Sequence, residues 1–232
     1  MNDVLAADSL MAHVRALADE IGPRPAGHPE EAAAREYIRR TLAAAGIIDI
    51  EEIPFPTPDT WGYSMIIALL IALVGNVPGR RTRASKIAGG LTTLFGAAEM
   101  LRTTKALPQR FANLVPHGQS ATLVARIPAS GTARHTVVLV GHTDSNKHRP
   151  TFAPEAKHLI RQKTSAGLVA MVINALAQMV QAVKPSRTAQ AIQWLTFLGL
   201  SAGLVELIKD ERGGFVDGAN DNASAVACLL GL

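Results

Sequence analysis

The residues of this sequence that could do chemistry include a histidine and an aspartate placed two positions apart. His142 and Asp144 follow the apolar segment Thr136–Val140, which predicts a strand covered on both faces. Ligands bind outside the carboxyl ends of strands in open α/β sheets. Imidazole is a good zinc ligand, and a nearby carboxylate can fix its tautomer and orientation. The triplet therefore indicates a metal site, although many such triplets are solvated loop residues.

A second polar segment, residues 217–224, could supply a carboxylate to such a site. Its sequence, Asp-Gly-Ala-Asn-Asp-Asn-Ala-Ser, combines a polar turn with the start of a predicted helix, Ser224–Leu230. A carboxylate in this turn could bind a metal at the mouth of the sheet. An ordinary helix cap rich in Asn and Asp has the same composition. This segment alone therefore leaves both interpretations open.

Two further motifs precede these segments. Residues 21–28 are Ile-Gly-Pro-Arg-Pro-Ala-Gly-His, and residues 35–38 are Arg-Glu-Tyr-Ile. In this order the motifs resemble the zinc-dependent exopeptidases, namely the dizinc aminopeptidases of peptidase family M twenty-eight. The apolar segments described below lie outside the resemblance, as two insertions. The resemblance covers three parts of the chain, at about residues 20–60, 112–146 and 213–232.

The resemblance implies a role for each of three residues. His142 matches the first histidine ligand of one zinc ion, and Asp144 matches the catalytic aspartate behind it that orients and polarises this ligand. Asp221 matches the aspartate that bridges two zinc ions. Such a pair of ions activates a water molecule to hydrolyse a peptide bond, and the implied substrate is a peptide with a free N-terminus. The side chains of His142 and Asp221 should then meet, and the peptide bond after Asp221 should be cis.

The sequence departs from the family pattern after Asp221. The family next has two adjacent glutamates, one of them the general base, then a further acidic ligand and a late histidine. The eleven residues from Asn222 to Leu232 contain no His, Asp or Glu, and the pairs Glu30–Glu31 and Glu51–Glu52 precede the His142 segment. We therefore expect an incomplete site, as in a truncated or a degenerate member of the family. The alternative is a non-catalytic, membrane-anchored, peptidase-like binding or scaffold protein.

The elements that must position these residues predict an α/β fold. It would be a partial zinc-exopeptidase-like sheet with helices, interrupted by two apolar helical hairpins. Helical periodicity with acidic first turns and a stop at Gly46 predicts the N-terminal helices, while short β-rich segments predict the strands. The predicted helices are 8–21, 30–45 and 224–230, and the predicted strands are 50–55, 122–127 and 136–140.

Four uncharged segments indicate the hairpins. Three have about the 17–25 residues that a membrane-spanning helix needs, and the fourth is shorter. Basic linkers, residues 80–86 and 184–187, separate the members of each pair, and Trp61 and Tyr63 lie where an interfacial aromatic belt would. Four membrane helices are favoured over two, and buried helices of a soluble core are the alternative. The segments are Thr60–Gly79, Ile87–Ala98, Thr164–Val183 and Thr188–Val205.

Charge and composition exclude two classes of protein and favour one class of partner. Hydrophobic residues make up 48% and charged residues 18% of the chain, which excludes a disordered protein, and a single cysteine, Cys228, excludes a disulfide scaffold. Residues 1–59 carry eleven acids and five bases, a net −6, so the remaining residues carry +10. The bases are dispersed or flank apolar segments with few aromatics, which favours membrane lipid and not nucleic acid as a partner.

The positive-inside rule places both linkers in the cytoplasm and the peptidase-like part on the other side of the membrane. The pattern leaves the oligomeric state open. The predicted organisation has five segments: 1–59 with the first helices and strand, the hairpin 60–105, 106–150 with the His-x-Asp motif, the hairpin 160–208, and 213–232 with the metal-binding loop.

Overall fold

The computed structural model describes residues 7–108, 110–111 and 114–232. The chain divides into two units. The sheet unit comprises Met1–Thr60, Pro116–Lys147 and Gly214–Leu232, and the helical unit comprises Trp61–Val115 and His148–Gly213. The predicted segments 1–59 and 106–150 extend into residues outside the described ones.

The sheet unit is a mixed α/β structure. Helix α1, Ala7–Arg15, continues into a wider helical turn, Ala16–Ile21, that ends at Gly22 with a positive φ. The strands β1, Ile50–Thr57, and β2, Gly118–Ala125, form a two-stranded antiparallel sheet in which Ile50 is opposite Ala125 and Thr57 is opposite Gly118. The elements of this unit are α1 Ala7–Arg15, α2 Pro29–Ala44, β1 Ile50–Thr57, β2 Gly118–Ala125 and, near the C-terminus, a helix Ser224–Leu230.

Helix α2 is attached to β2 through the loop that precedes it. Pro29 occupies the first turn of the helix, where its missing N–H costs nothing. The buried Glu31 accepts hydrogen bonds from the Gly27 main-chain N–H at 2.7 Å and from the Ser120 hydroxyl at 2.6 Å. A side chain at Gly27 would approach the Gly118 Cα to 2.9 Å. The backbones of the loop and of β2 can therefore approach this closely only because Gly27 and Gly118 have no side chains.

The predicted strand Thr136–Val140 is not formed. Its aliphatic side chains are exposed, with Val137 at 79%, Val138 at 76%, Leu139 at 58% and Val140 at 84%. An apolar segment becomes a buried strand only where neighbouring strands accept its backbone hydrogen bonds. Among the described residues the only sheet is the pair of β1 and β2. The expectation of a strand covered on both faces is therefore wrong for this structure.

The helical unit is built from four helices that follow one another around a ring. Each packs mainly against two neighbours, in the order α3, α4, α5 and α6, and α6 returns to α3. The predicted apolar segments are confirmed as helical, and their bounds shift by a few residues. The four helices are α3 Gly62–Asn76, α4 Arg83–Thr104, α5 Ile160–Val183 and α6 Arg187–Glu211, so Ser224–Leu230 is α7.

Two of these helices are long and apolar enough to cross a membrane. They are Lys157–Val183, which includes the turn before α5, and Arg187–Glu211. Only 28% and 11% of their apolar windows are buried, whereas the core helix of a soluble protein is mostly buried. Helix α3 has 15 residues, a length of about 22 Å against a hydrocarbon core of about 30 Å.

Small residues bring α3 and α4 close together. A Cβ added at Gly75 would lie 2.5 Å from the Thr93 main-chain nitrogen, and one added at Gly96 would lie 2.6 Å from that of Ala72. Neither glycine therefore tolerates a side chain without a backbone shift. Close contacts through Gly, Ala and Thr are typical of helix pairs that associate in lipid.

A buried amide network links all four helices, and it reaches α4 through a 3.4 Å hydrogen bond from the Gln178 amide to the Thr93 hydroxyl. Asn174 of α5 donates to the Asn76 amide oxygen of α3 and, at 2.8 Å, to the Thr196 hydroxyl of α6. Gln178 donates to the Asn174 amide oxygen at 2.6 Å and to the Gly75 carbonyl at 3.1 Å. Asn76, Asn174 and Gln178 are fully buried. Buried amides must be hydrogen-bonded to be tolerated, so this network fixes the register of the helices.

Candidate metal site

The predicted site residues converge in the sheet unit. Asp221 Oδ1 lies 3.0 Å from His142 Nε2, although 79 positions separate the two residues in the chain. The predicted convergence of these two side chains is therefore confirmed. Its predicted location at the end of a strand is wrong, because His142 follows the exposed, unpaired segment 136–140.

Asp144 lies on the other side of the imidazole ring. Its carboxylate Oδ1 is 3.3 Å from His142 Nδ1, and its main-chain oxygen is 3.1 Å from the same nitrogen. Each ring nitrogen of His142 therefore faces an oxygen, Nδ1 from Asp144 and Nε2 from Asp221, and a metal bound at Nε2 would leave the ring proton on the Asp144 side. Asp144 therefore lies at the ring nitrogen opposite the contact between His142 Nε2 and Asp221.

The loop that carries Asp221 has a special backbone. Gly218 has a positive φ of 66°, and a Cβ there would lie 2.9 Å from an Arg24 guanidinium nitrogen and from the Ser145 Cβ. The peptide bond between Asp221 and Asn222 is cis, as expected. The Asn222 amide donates to the His142 carbonyl at 3.4 Å, so the two loops are joined next to the His142–Asp221 contact.

Arg24 ties the loops of the site together from inside the unit. Its side chain is buried, with 1% exposure. Its main-chain nitrogen and oxygen both bond Ser145, at 2.9 Å each. The guanidinium donates, at 2.5–3.3 Å, to five main-chain carbonyl oxygens from the helical turn 16–21 and from three loops, those of Leu17, Gly22, Thr143, Asp217 and Gly218.

Sequence reasoning quoted Arg24 within the motif 21–28 but gave it no role. The sequence feature that could have pointed to its role is an arginine between Pro23 and Pro25, in a predicted loop that precedes a predicted helix. An arginine carries five donors in a rigid fork, which suits the clamping of several carbonyl groups. Only the folded chain shows which carbonyls those are, because they lie up to 194 positions away.

The charge of Arg24 is maintained by the site. Burial lowers the pKa of the Arg24 guanidinium, and the negative charges of Asp144 and Asp217 oppose that shift. An arginine keeps its proton at physiological pH under such shifts. The two loops that carry Asp144 and Asp221 therefore close over a permanent positive charge.

The donor pair fits one edge of a zinc coordination shell. Two ligand atoms bound to a tetrahedral zinc at about 2.0–2.1 Å are about 3.3 Å apart, close to the 3.0 Å between His142 Nε2 and Asp221 Oδ1. Both side chains are more than half exposed, so the contact is open to solvent. In the described part of the chain, no three His, Cys, Asp or Glu side chains are grouped to hold a metal ion.

Comparison with known proteins adds no relative to this description. The chain matches no protein-family model, no curated protein and no solved structure. The resemblance to the dizinc aminopeptidases therefore stays a hypothesis. The functional information in this structure lies in the geometry of His142, Asp144 and Asp221 and in the loops that Arg24 holds.

Proposed function

We propose that the sheet unit is a zinc aminopeptidase-like part of this protein. His142 and Asp221 would hold zinc, and Asp144 would orient His142. The observation that supports the proposal is the 3.0 Å contact between His142 Nε2 and Asp221 Oδ1, with Asp144 at the opposite ring nitrogen. A histidine placed between an orienting carboxylate and a second ligand is the usual arrangement of a zinc-binding histidine.

Each residue would do a distinct part of the work. Zinc, when bound, would polarise a peptide carbonyl and lower the pKa of a water molecule. His142 supplies a neutral nitrogen because Asp144 takes the proton-bearing side of the ring, and Asp221 supplies a negative oxygen. Arg24 keeps the Thr143 and Gly218 carbonyls in place, which fixes the two loops that bear the donors.

The number of donors limits what this chain would do. A catalytic zinc has three protein ligands and a water, and hydrolysis also needs a base for that water. His142 and Asp221 supply two ligands, and Asp144 is engaged behind the ring. We therefore propose that the 232-residue chain binds zinc weakly and does not hydrolyse aminoacyl substrates, while an extension that adds a Glu-Glu pair and a late histidine would do both.

Zinc titration of the purified chain in detergent tests this proposal. A chromophoric chelator competes for the metal, and release of an aminoacyl chromophore reports turnover. His142→Ala should abolish the weak binding, and Asp144→Ala should weaken it by about tenfold. His135→Ala, an exposed histidine of the same unit, is the matched control and should bind as the unchanged chain does. Binding insensitive to His142→Ala would refute the site.

Hydrolysis of the aminoacyl substrate is a second test, which distinguishes a catalytic protein from a non-catalytic one. If the 232-residue chain hydrolyses the aminoacyl substrate and His142→Ala stops it, the proposed two-donor site is wrong, because further ligands must be recruited. If zinc binds through His142 but an extended chain also fails to turn over, the non-catalytic binding or scaffold protein is the better function.

The helical unit would anchor this part to a membrane. We propose that α3 to α6 cross the bilayer as two hairpins, of which α5 and α6 are long, apolar and exposed, and that both basic linkers are cytoplasmic. Reporter fusions after Arg83 and after Lys184 should both report the cytoplasm, and a fusion near Pro116 should report the opposite side. Fusions that all report one side would remove this topology.

A further inference from the structure

A pocket lies at the end of the helical unit where both hairpins turn. It has a volume of roughly 470 Å³ and is formed by the two linkers and the adjoining helix ends. Lys86 of α4 donates to the Gln181 carbonyl of α5 at 3.1 Å, and Gln181 donates to the Gln193 side chain of α6 at 3.1 Å. The two hairpin turns are therefore held together around one cavity.

The lining of this pocket is cationic. Arg80, Lys86 and Arg187 border it together with glutamines and small residues, and no acidic residue does. In the described chain, no carboxylate forms an ion pair with any of these three cations. The acidic residues of the unit all belong to the opposite ends of the helices or to the segments next to them, namely Glu99, Glu155, Glu206, Asp210 and Glu211.

The pocket also presents hydrogen-bond donors in fixed positions. Arg80 is anchored by a 2.6 Å hydrogen bond from its guanidinium to the Val74 carbonyl, and its Nε is buried without an acceptor among the described residues. Helix α6 begins at Arg187, beside the pocket, after the Ser186 cap. A helix N-terminus favours an anion, and the positive charges of Arg80 and Arg187 at the pocket add to that preference.

The position of the pocket at the ends of the apolar helices indicates which kind of anion it would bind. Helix α5 ends at Val183 and α6 starts at Arg187, so the pocket adjoins the ends of the two helices that are long and apolar enough to cross a membrane. The level just outside the hydrocarbon core is occupied by lipid headgroups. Basic pockets between helices at this level suit anionic headgroups.

We propose that the Arg80–Lys86–Arg187 pocket binds the phosphate of an anionic phospholipid headgroup. The proposal rests on membrane insertion of α5 and α6 and is independent of the zinc site. The guanidinium of Arg80 and the ammonium of Lys86 supply directed donors, and Arg187 adds charge at the N-terminus of α6. A soluble phosphate shares this chemistry, so the test must separate the two sources.

Native mass spectrometry of the full chain, released from micelles that contain phosphatidylglycerol or phosphatidylcholine, measures lipid retention. The triple variant Arg80→Gln, Lys86→Gln, Arg187→Gln should retain phosphatidylglycerol at least about tenfold less than the unchanged chain. The matched control Arg81→Gln, Arg83→Gln, Lys184→Gln removes the same charge from the same linkers outside the pocket lining. It should retain the lipid within about twofold.

Three results would overturn the proposal. Equal loss of lipid in both triple variants would mean diffuse attraction by the basic linkers and no pocket. Equal retention of phosphatidylcholine would remove the role of headgroup charge. Displacement of the lipid by millimolar inorganic phosphate would identify a soluble anion as the ligand. Circular dichroism must show the same helix content in both triple variants as in the unchanged chain. If the pocket triple variant unfolds, the single variant Arg80→Lys takes its place and should retain part of the lipid.

Failure of the membrane proposal is distinguishable from failure of this one. A chain that stays in membranes through alkaline carbonate extraction but retains no phosphatidylglycerol overturns the headgroup site alone. A chain that carbonate releases overturns the membrane insertion on which it rests. Zinc titration of both triple variants should be unchanged, since the zinc donors belong to the sheet unit.

Discussion

Exposed aliphatic side chains occur in both units, but the backbone that carries them is hydrogen-bonded in the helical unit and unpaired in the sheet unit. In α6, Leu195 is 70% and Leu198 is 60% exposed, but every interior backbone group of the helix is bonded within the helix. In the sheet unit, the exposed segment 137–140 has no described ladder partner. A helix with satisfied backbone can face lipid, whereas an unpaired segment cannot. The same exposure is therefore compatible with a lipid-facing surface in the helical unit, whereas in the sheet unit it accompanies an unpaired backbone.

The buried polar groups differ in the same way. Arg24 brings a full charge into the sheet unit and is satisfied by main-chain carbonyls of loops. Asn174 brings a neutral amide into the helical unit and is satisfied by side chains of neighbouring helices. Four of the five carbonyls that Arg24 bonds lie in loops, whereas most interior carbonyls of a helix are already bonded within the helix. Disrupting the two networks should therefore have unequal effects.

The largest effect is expected from Arg24→Ala. It leaves five main-chain carbonyls without their donor and should lower the free energy of unfolding by about 3–5 kcal/mol. Denaturant unfolding of the chain in detergent measures this, and limited proteolysis should open near residues 143 and 217. Arg39→Ala, which removes an exposed ion-pair partner on α2, is the control and should leave the free energy of unfolding nearly unchanged. Similar losses for the two variants would contradict the clamp.

The next effect is expected from Leu198→Arg at the middle of α6. An arginine at the centre of a membrane helix costs about 3 kcal/mol of insertion free energy. The measurement is the fraction of α6 inserted into microsomes, read from engineered glycosylation acceptors. Leu198→Phe keeps the position apolar and should insert like the unchanged chain. Unimpaired insertion of the arginine variant would show that this face does not contact lipid.

A smaller loss is expected from Asn174→Leu. It removes donors to Asn76 and Thr196 and the acceptor of Gln178, and should cost about 1–2 kcal/mol. The thermal unfolding midpoint in detergent should fall accordingly. Val169→Leu alters an exposed position of the same helix and serves as the reference. A midpoint raised by Asn174→Leu would mean that an apolar interior suits these four helices better than the amide network.

The smallest effect on stability is expected from Val138→Lys. The side chain is exposed, so the free energy of unfolding should change by less than about 0.5 kcal/mol. Aggregation, followed by light scattering, should decrease because a lysine discourages pairing of an open strand position. Ala133→Lys adds the same charge at an exposed neighbouring position and should change aggregation less. A loss above about 1 kcal/mol for Val138→Lys would show that this segment is covered.

Much of the fold could be predicted because its signals are local. Helix α2 has acids in its first turn, and the turn after it has Gly46 with a φ of 86°. Strand β1 was expected over 50–55 and extends to Thr57. The expected strand 122–127 begins earlier, at Gly118, because pairing with β1 continues beyond the β-rich residues to the close contact of Gly118 with Gly27.

The candidate site was predictable only in part. The sequence alone determined which residues have metal-binding chemistry, where the apolar helices lie and where the basic linkers interrupt them. The tertiary structure decided that His142 meets Asp221, that Arg24 supports both loops, and that segment 136–140 stays unpaired. Helical periodicity and caps depend on residues within a few positions, so the chain displays them directly. Strand pairing, donor convergence and the clamping of distant carbonyls depend on groups up to 194 positions apart, which only folding brings together.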